Sequence, residues 1–298
     1  MTKTAWVFPG QGSQAVGMAD ELLELPEAIA RFEEAEQILG WSVVERCQSD
    51  VETLSRTLYT QPCLYTVESI LVDVLKARTA QPTWVAGHSL GEYVALYAAG
   101  VFDFADGLRL VKHRAELMEN ASGGLMAALL GFDREQLKEQ LQQTSGVVLA
   151  NDNNDGQAVI SGQPEAVETV LQNVKSKRAV KLNVSGAFHS PFMATAAAEF
   201  RSVLDAVAFK DAQVPVLSNV DPTPTTVASE LKARLIEQMT GSVRWREITQ
   251  QLLEAGVTQV VEIGPGKVLT GIMKRALSGV ELINVGSLSE VPATLLTC

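Results

Sequence analysis

The sequence predicts an α/β protein in two parts: a parallel-sheet body drawn from both chain ends, and a smaller βαββαβ unit inserted between them. Three observations predict it. Short apolar runs alternate with amphipathic stretches near both termini, as in a parallel sheet covered by helices. A glycine-bounded serine, GHSLG, lies between an apolar run and a helical stretch. The middle of the chain carries strand and helix signals in a different order, and no internal repeat or low-complexity tract interrupts the pattern.

In the N-terminal part, Thr4 to Phe8 reads as a buried strand, Glu27 to Leu39 as a helix and Thr83 to Ala86 as a strand. Leu90 to Ala99 reads as a helix stopped by Gly100. Near the C-terminus, Pro215 to Val220, Gln259 to Ile263 and Leu282 to Val285 read as extended, with Arg244 to Ala255 and Val268 to Leu277 helical. Between these blocks, Gly124 to Gly131 is a strand, and a helix opens at Asp133 with Gln136 at capping-box spacing. Val147 to Ala150 and Ala158 to Ser161 flank the turn-rich NDNNDG. Pro164 starts a helix to about Lys177, and Ala179 to Val184 closes the unit as a strand. That order is the split-βαβ pattern of ferredoxin-like domains. The expected division is a large α/β-hydrolase-like subdomain over 1–121 and 189–298, with the ferredoxin-like unit over 122–188 and a ligand cleft between them.

Composition limits the function. Of 298 residues 46% are hydrophobic and 20% charged, ample for a packed core. With 24 Lys plus Arg against 35 Asp plus Glu, the net charge of -11 speaks against nucleic acid and anionic membrane as partners. Cys47, Cys63 and Cys298 are isolated in sequence, with neither disulfide nor zinc spacing, which points to a reducing, cytoplasmic setting. The apolar run Ala5 to Phe8 is too short for a signal peptide. Trp84 to Phe102 holds His88, Ser89, Glu92 and three glycines, and is read as strand, turn and helix rather than a membrane span.

Ser89 in GHSLG is the expected nucleophile: the strand TWVA precedes it and a helix follows, the context of a nucleophile elbow. Serine needs a base, and there are three histidines. His88 adjoins Ser89 and should point away from it; His113 sits mid-helix near Arg109 and Glu116 as a partly exposed polar residue. His189, in the loop GAFHSP, is left as the base, and no acid stands in an obvious third position, so a backbone carbonyl could orient the ring. The Leu90 N–H supplies one oxyanion donor, and the Gln11 N–H, in the turn FPGQGSQ, a second.

Gly10, Gly12 and Ala15 also fit a dinucleotide fingerprint, but Glu33, Glu34 and Glu36, where its acidic partner should end a strand, fall in a helix. The GPGK of Gly264 to Lys267 lacks the other residues of a phosphate loop. Arg114 has Leu110, Val111, Leu117 and Met118 at helical spacing, so its guanidinium needs a buried partner. An internal salt bridge and a substrate carboxylate both satisfy that requirement.

Together GHSLGEY, FPGQGSQ, Arg114, GAFHSP, the TQP of Thr60 to Pro62 and the EIGPGKVLTG of Glu262 to Gly271 resemble the malonyl-CoA:acyl carrier protein transacylase family over nearly the whole chain. The resemblance implies a ping-pong transfer of malonyl from malonyl-CoA to the phosphopantetheine thiol of acyl carrier protein through Ser89, supplying fatty acid biosynthesis, by a monomer with no metal or other cofactor. It implies that the Gln238 backbone carbonyl holds His189, that Gln11 and Leu90 form the oxyanion hole, that Arg114 pairs with the malonyl carboxylate and that Gln61 lies near the substrate. Phe188 resembles the malonyl-selecting ring of related polyketide acyltransferases, although this chain has GAF where those have HAF. The implied acidic carrier protein needs a basic landing site, for which Lys175, Lys177, Arg178 and Lys181 are the candidates, the plainer reading being cations at a helix C-terminus. A serine thioesterase or other hydrolase using the same Ser-His dyad is the competing activity.

Overall fold

The computed structural model describes residues 2–79, 81–184 and 186–295; Cys298 lies outside the described residues. Its strands are β1 (Thr4–Phe8), β2 (Trp84–Gly87), β3 (Leu125–Phe132), β4 (Val147–Asn154), β5 (Gln157–Gly162), β6 (Ser176–Lys181), β7 (Val216–Leu217), β8 (Gln259–Ile263) and β9 (Glu281–Val285). They form two sheets. The first is wholly parallel, in the order β7-β2-β1-β8-β9, with central β1 paired to β2 and β8. Alternate residues of β1 serve opposite faces: Trp6 and Phe8 enter the larger core, Ala5 and Val7 the smaller one. Burial on both faces explains the unbroken apolar run of this strand.

The second sheet is antiparallel, in the order β4-β5-β3-β6, which is the ferredoxin-like arrangement. The helices Arg134–Gln143 and Pro164–Asn173 place Leu137, Val167 and Val170 in its core. A short bridge joins it to the other sheet's side of the molecule. Asp152 N–H donates to Val243 O at 2.9 Å, and Val243 N–H to Ala150 O at 2.8 Å.

Several boundaries differ from the sequence reading. The helix begun by Pro164 ends at Asn173, and the closing strand is Ser176–Lys181 rather than Ala179 to Val184. Val174 is buried in the small core and turns the chain, after which pairing with β3 overrides the helical preference of the basic residues. Lys175, Lys177, Arg178 and Lys181 are therefore not at a helix C-terminus; all are exposed, on or beside an edge strand, and Lys181 pairs with Glu168. Asp133 caps its helix through Gln136 N–H at 3.0 Å, but Gln136 Oε1 accepts from Lys175 N–H at 2.8 Å, so the box is not closed. The expected turn NDNNDG is mostly strand, because Asp152 is held by Arg134 and Arg246, and Asn154 Nδ2 donates to Ile272 O. The extended segment at Pro215 shrinks to Val216–Leu217, and the helix after Val268 stops at Met273.

The Thr57–Arg78 helix is absent from the sequence reading. Most of its residues are buried, so it shows no polar face, and Pro62 lies inside it. Among the described residues no helix is long and apolar enough to cross a membrane. Cys47 and Cys63, apart in sequence, meet in space as free, buried thiols, and the contact with Cys47 together with burial pushes the Cys63 thiol up.

Candidate active site

Ser89 stands between β2 and the Gly91–Ala98 helix at φ 53°, and His189 has φ 55°. Among the described residues these are the only non-glycines with positive φ, a backbone strain that concentrates at functional sites. The elbow closes because its flanks are glycines. A Cβ on Gly87 would meet the Gly91 backbone, and one on Gly91 would meet the Phe8 carbonyl. Side chains satisfy the strained turn: Asn219 Oδ1 accepts from Ser89 N–H at 2.7 Å, Asn219 Nδ2 donates to Gly87 O at 2.6 Å, and Gln238 Nε2 to Ser89 O at 2.8 Å.

His189 reaches Ser89 as the elimination expected. Ser89 Oγ lies 2.7 Å from His189 Nε2, while Nδ1–H donates to Gln238 O at 3.0 Å and Gly241 O at 3.2 Å. Two carbonyls hold the proton on Nδ1, which leaves the Nε2 lone pair facing the hydroxyl, with no acidic third member among the described residues. Burial first, and the Arg114 charge second, bring the imidazole down to about 3. The neutral base is thus present through the physiological range and is lost only as pH falls toward about 3. Acylation of Ser89 should accordingly show no inflection near 6.5, the ordinary imidazole value, in a stopped-flow pH series; an inflection there would mean a solvated ring. The same depression stabilises the fold fully above 6.5 and progressively less as pH falls toward about 3, since only the unfolded ring takes a proton in that window.

Arg114 is 1% exposed. Its Nη1 donates to Gln61 Oε1 at 2.7 Å, and its Nη2 to Ser89 Oγ at 3.0 Å and Gln238 Oε1 at 3.1 Å. All three acceptors are neutral, and among the described residues no carboxylate comes within salt-bridge distance. The internal salt bridge allowed by the sequence is not formed. The guanidinium also lies 5.4 Å from the Tyr93 ring centroid.

These groups line a cavity of ≈ 90 Å³, with Gln11, Gln61, Leu90, Met118, Met126, Phe188 and His189 in its wall. Gln11 is steadied by its Nε2 donating to Thr57 Oγ1 at 3.1 Å, and Gly10 packs on the His88 carbonyl. A larger groove of ≈ 540 Å³, between the Arg134–Gln143 helix and β4, has no serine, cysteine or histidine in its lining.

The structure thus gathers Ser89, His189, Arg114, Gln11, Leu90, Gln61, Phe188 and Gln238. The basic residues of β6 stay outside the cavity, although the chain beyond them brings Leu182 and Val184 into its wall. The other histidines are placed as expected. His88 Nε2 lies 2.9 Å from Asn153 Oδ1 and its ring packs near Trp245, while His113 is exposed beside Glu116 at 3.4 Å. Helix Val268–Met273 could have offered its N-terminus to phosphate, but Glu262 accepts there from Leu269 and Thr270 N–H groups at 2.8 and 2.7 Å.

Sequence reasoning missed Asn219, Glu92 and the side chain of Gln238. A signal existed for two of them. Glu92 is the lone acid in an apolar helix, and Asn219 follows an apolar run at the carboxyl end of a parallel strand, where such sheets hold their ligands.

A family model described as acyl transferase domain matches residues 5–290. The chain is 59% identical to the malonyl CoA-acyl carrier protein transacylase of Synechocystis, over 97% of this chain and 99% of that one. The crystal structure of the malonyl-CoA:ACP transacylase of Synechocystis sp. PCC 6803 superposes with a TM-score of 0.95 over the same shares. A malonyl-transacylase solved in complex with a type II polyketide synthase acyl carrier protein is 35% identical, with a TM-score of 0.92 over 99% of each chain. By the family-model match the chain belongs to the acyl transferase domain family.

Proposed function

We propose that this chain transfers malonyl from malonyl-CoA to the phosphopantetheine thiol of acyl carrier protein, in fatty acid biosynthesis, as a cytoplasmic monomer. The observation that carries the reading is Arg114: a buried guanidinium, 3.0 Å from the nucleophile and hydrogen-bonded only to neutral acceptors, is placed to pair with an acyl carboxylate. Similarity to transacylases named for malonyl-CoA and acyl carrier protein supports it.

In the proposed cycle, Ser89 Oγ attacks the thioester carbon as His189 Nε2 takes its proton, and the Gln11 and Leu90 N–H groups stabilise the oxyanion. Collapse expels the CoA thiolate, which takes the proton from the imidazolium. The carrier thiol then gives a proton to His189 and attacks the malonyl ester, and the serine oxygen recovers that proton on leaving. The cycle uses no metal or other cofactor. Gln61 holds Arg114 for the acyl carboxylate, and Phe188 narrows the cavity against an α-branch. The cavity belongs to the cleft between a body over 1–121 and 189–298 and an insert over 122–188. A hydrolase with the same dyad would pass the acyl group to water instead.

The test is a transfer assay over malonyl-, methylmalonyl- and acetyl-CoA with one carrier protein. Malonyl transfer should dominate; release of free malonate as the main product would replace the transferase with a hydrolase. We further propose that Lys175, Lys177, Arg178 and Lys181 form the landing strip for the carrier, because they line an exposed edge strand whose continuation enters the cavity wall. Lys177→Glu with Arg178→Glu should raise KM for carrier protein about tenfold, an effect weakened by salt, while acylation by malonyl-CoA keeps its rate. An unchanged KM would return these residues to ordinary surface.

A further inference from the structure

Gln238 is hydrogen-bonded to Ser89, His189 and Arg114. Its backbone carbonyl accepts from His189 Nδ1–H at 3.0 Å, its Oε1 accepts from Arg114 at 3.1 Å, and its Nε2 donates to Ser89 O at 2.8 Å. The same Nε2 donates to Glu92 Oε2 at 2.8 Å, and Asn219 N–H donates to that carboxylate oxygen at 3.1 Å. Glu92 is fully buried on the first turn after the nucleophile.

An amide has two ends of similar shape and opposite polarity, so something must choose its orientation. Here the neighbours choose it. Turned over, Gln238 would set its NH2 against a guanidinium and its oxygen against both a carboxylate and a backbone carbonyl. Glu92 supplies the charged member of that pair of acceptors, and its own position is fixed by Asn219, the residue that also holds the elbow.

We propose that Glu92 is a positioning residue for acyl selection: by holding the Gln238 amide with its oxygen toward Arg114, it keeps the guanidinium in place among neutral acceptors and open to a substrate carboxylate. This rests on the reading of Arg114 as the acyl-carboxylate site. The arrangement puts the buried Glu92 carboxyl group one hydrogen-bonded residue away from Arg114, with burial pushing that carboxyl up from its ordinary value. Glu92 reaches Arg114 only through the amide and does not form the ion pair that would compete with substrate.

The test is a double-mutant cycle read as the ratio of Ser89 acylation rates with malonyl-CoA and acetyl-CoA. Glu92→Leu and Gln238→Met should each lower that ratio about tenfold, chiefly through KM for malonyl-CoA, and the double variant should lower it no further than the worse single. Gln238→Met keeps the backbone carbonyl that holds His189 Nδ1–H, so acylation with acetyl-CoA, whatever its rate, should still show no inflection near 6.5. Glu92→Gln, whose amide oxygen can still accept from both N–H groups, should recover most of the ratio. Multiplying effects in the double variant, or an unchanged ratio in either single, would overturn the inference. Should Glu92→Leu fail to fold, the ratio in Gln238→Met decides alone. Arg114→Ala measured alongside separates the two levels. If it treats both donors alike, the Arg114 reading falls and this inference with it; if it discriminates while the cycle is silent or multiplicative, only this inference falls.

Discussion

Arg114→Ala should cut kcat/KM for malonyl-CoA by about 10³-fold, while acetyl-CoA gains relative to malonyl-CoA. The magnitude follows from burial. A carboxylate brought into this cavity without its cation is an unpaired buried charge, costing roughly 4 kcal/mol, which corresponds to about 10³ in rate. An acetyl group has no such charge to leave unpaired. The variant also strips a donor from the oxygens of Gln61 and Gln238, so the fold should lose about 2 kcal/mol, visible as a lower Tm. Steady-state kinetics with both donors gives the answer; equal losses would make Arg114 a structural residue.

His189→Ala should reduce acylation of Ser89 by at least about 10⁴-fold with any acyl donor, because the proton then has no acceptor within reach of Oγ. The other imidazole close by cannot substitute, as His88 Nε2 is engaged with Asn153. The residual rate reflects the oxyanion donors and binding. The backbone at position 189 is strained at φ 55°, so His189→Gly, which relieves that strain, should be more stable than His189→Ala yet equally inactive. Retained acylation in either variant would assign the base elsewhere.

The nucleophile was legible because an elbow is a local device: a strand, two close-packed glycines and a helix N-terminus all fall within a few residues. His189 came from elimination, and its partner carbonyls are contributed by residues 238 and 241, which no local pattern ties to it. The parallel sheet was readable from continuous apolar runs such as β1, and the inserted unit from its βαββαβ order. Less visible were elements settled by distant contacts. The Thr57–Arg78 helix is buried nearly all round and carries Pro62, so neither a stripe nor a clean stop marks it. The start of edge strand β6, Ser176 and Lys177, reads as the end of a helix until its pairing with β3 is known, and NDNNDG reads as a turn until Arg134 and Arg246 claim Asp152. The Glu92–Gln238–Asn219 network joins three segments more than a hundred residues apart at its ends, beyond the reach of spacing arguments.

The proposed cycle depends on Ser89 carrying the acyl group, and mass spectrometry of the protein quenched after brief exposure to malonyl-CoA tests that directly. A single malonyl adduct mapped to Ser89, discharged onto the thiol of added acyl carrier protein, is the expected result. An adduct at another residue, no adduct at all, or discharge of the Ser89 ester to water in the presence of carrier protein would contradict it.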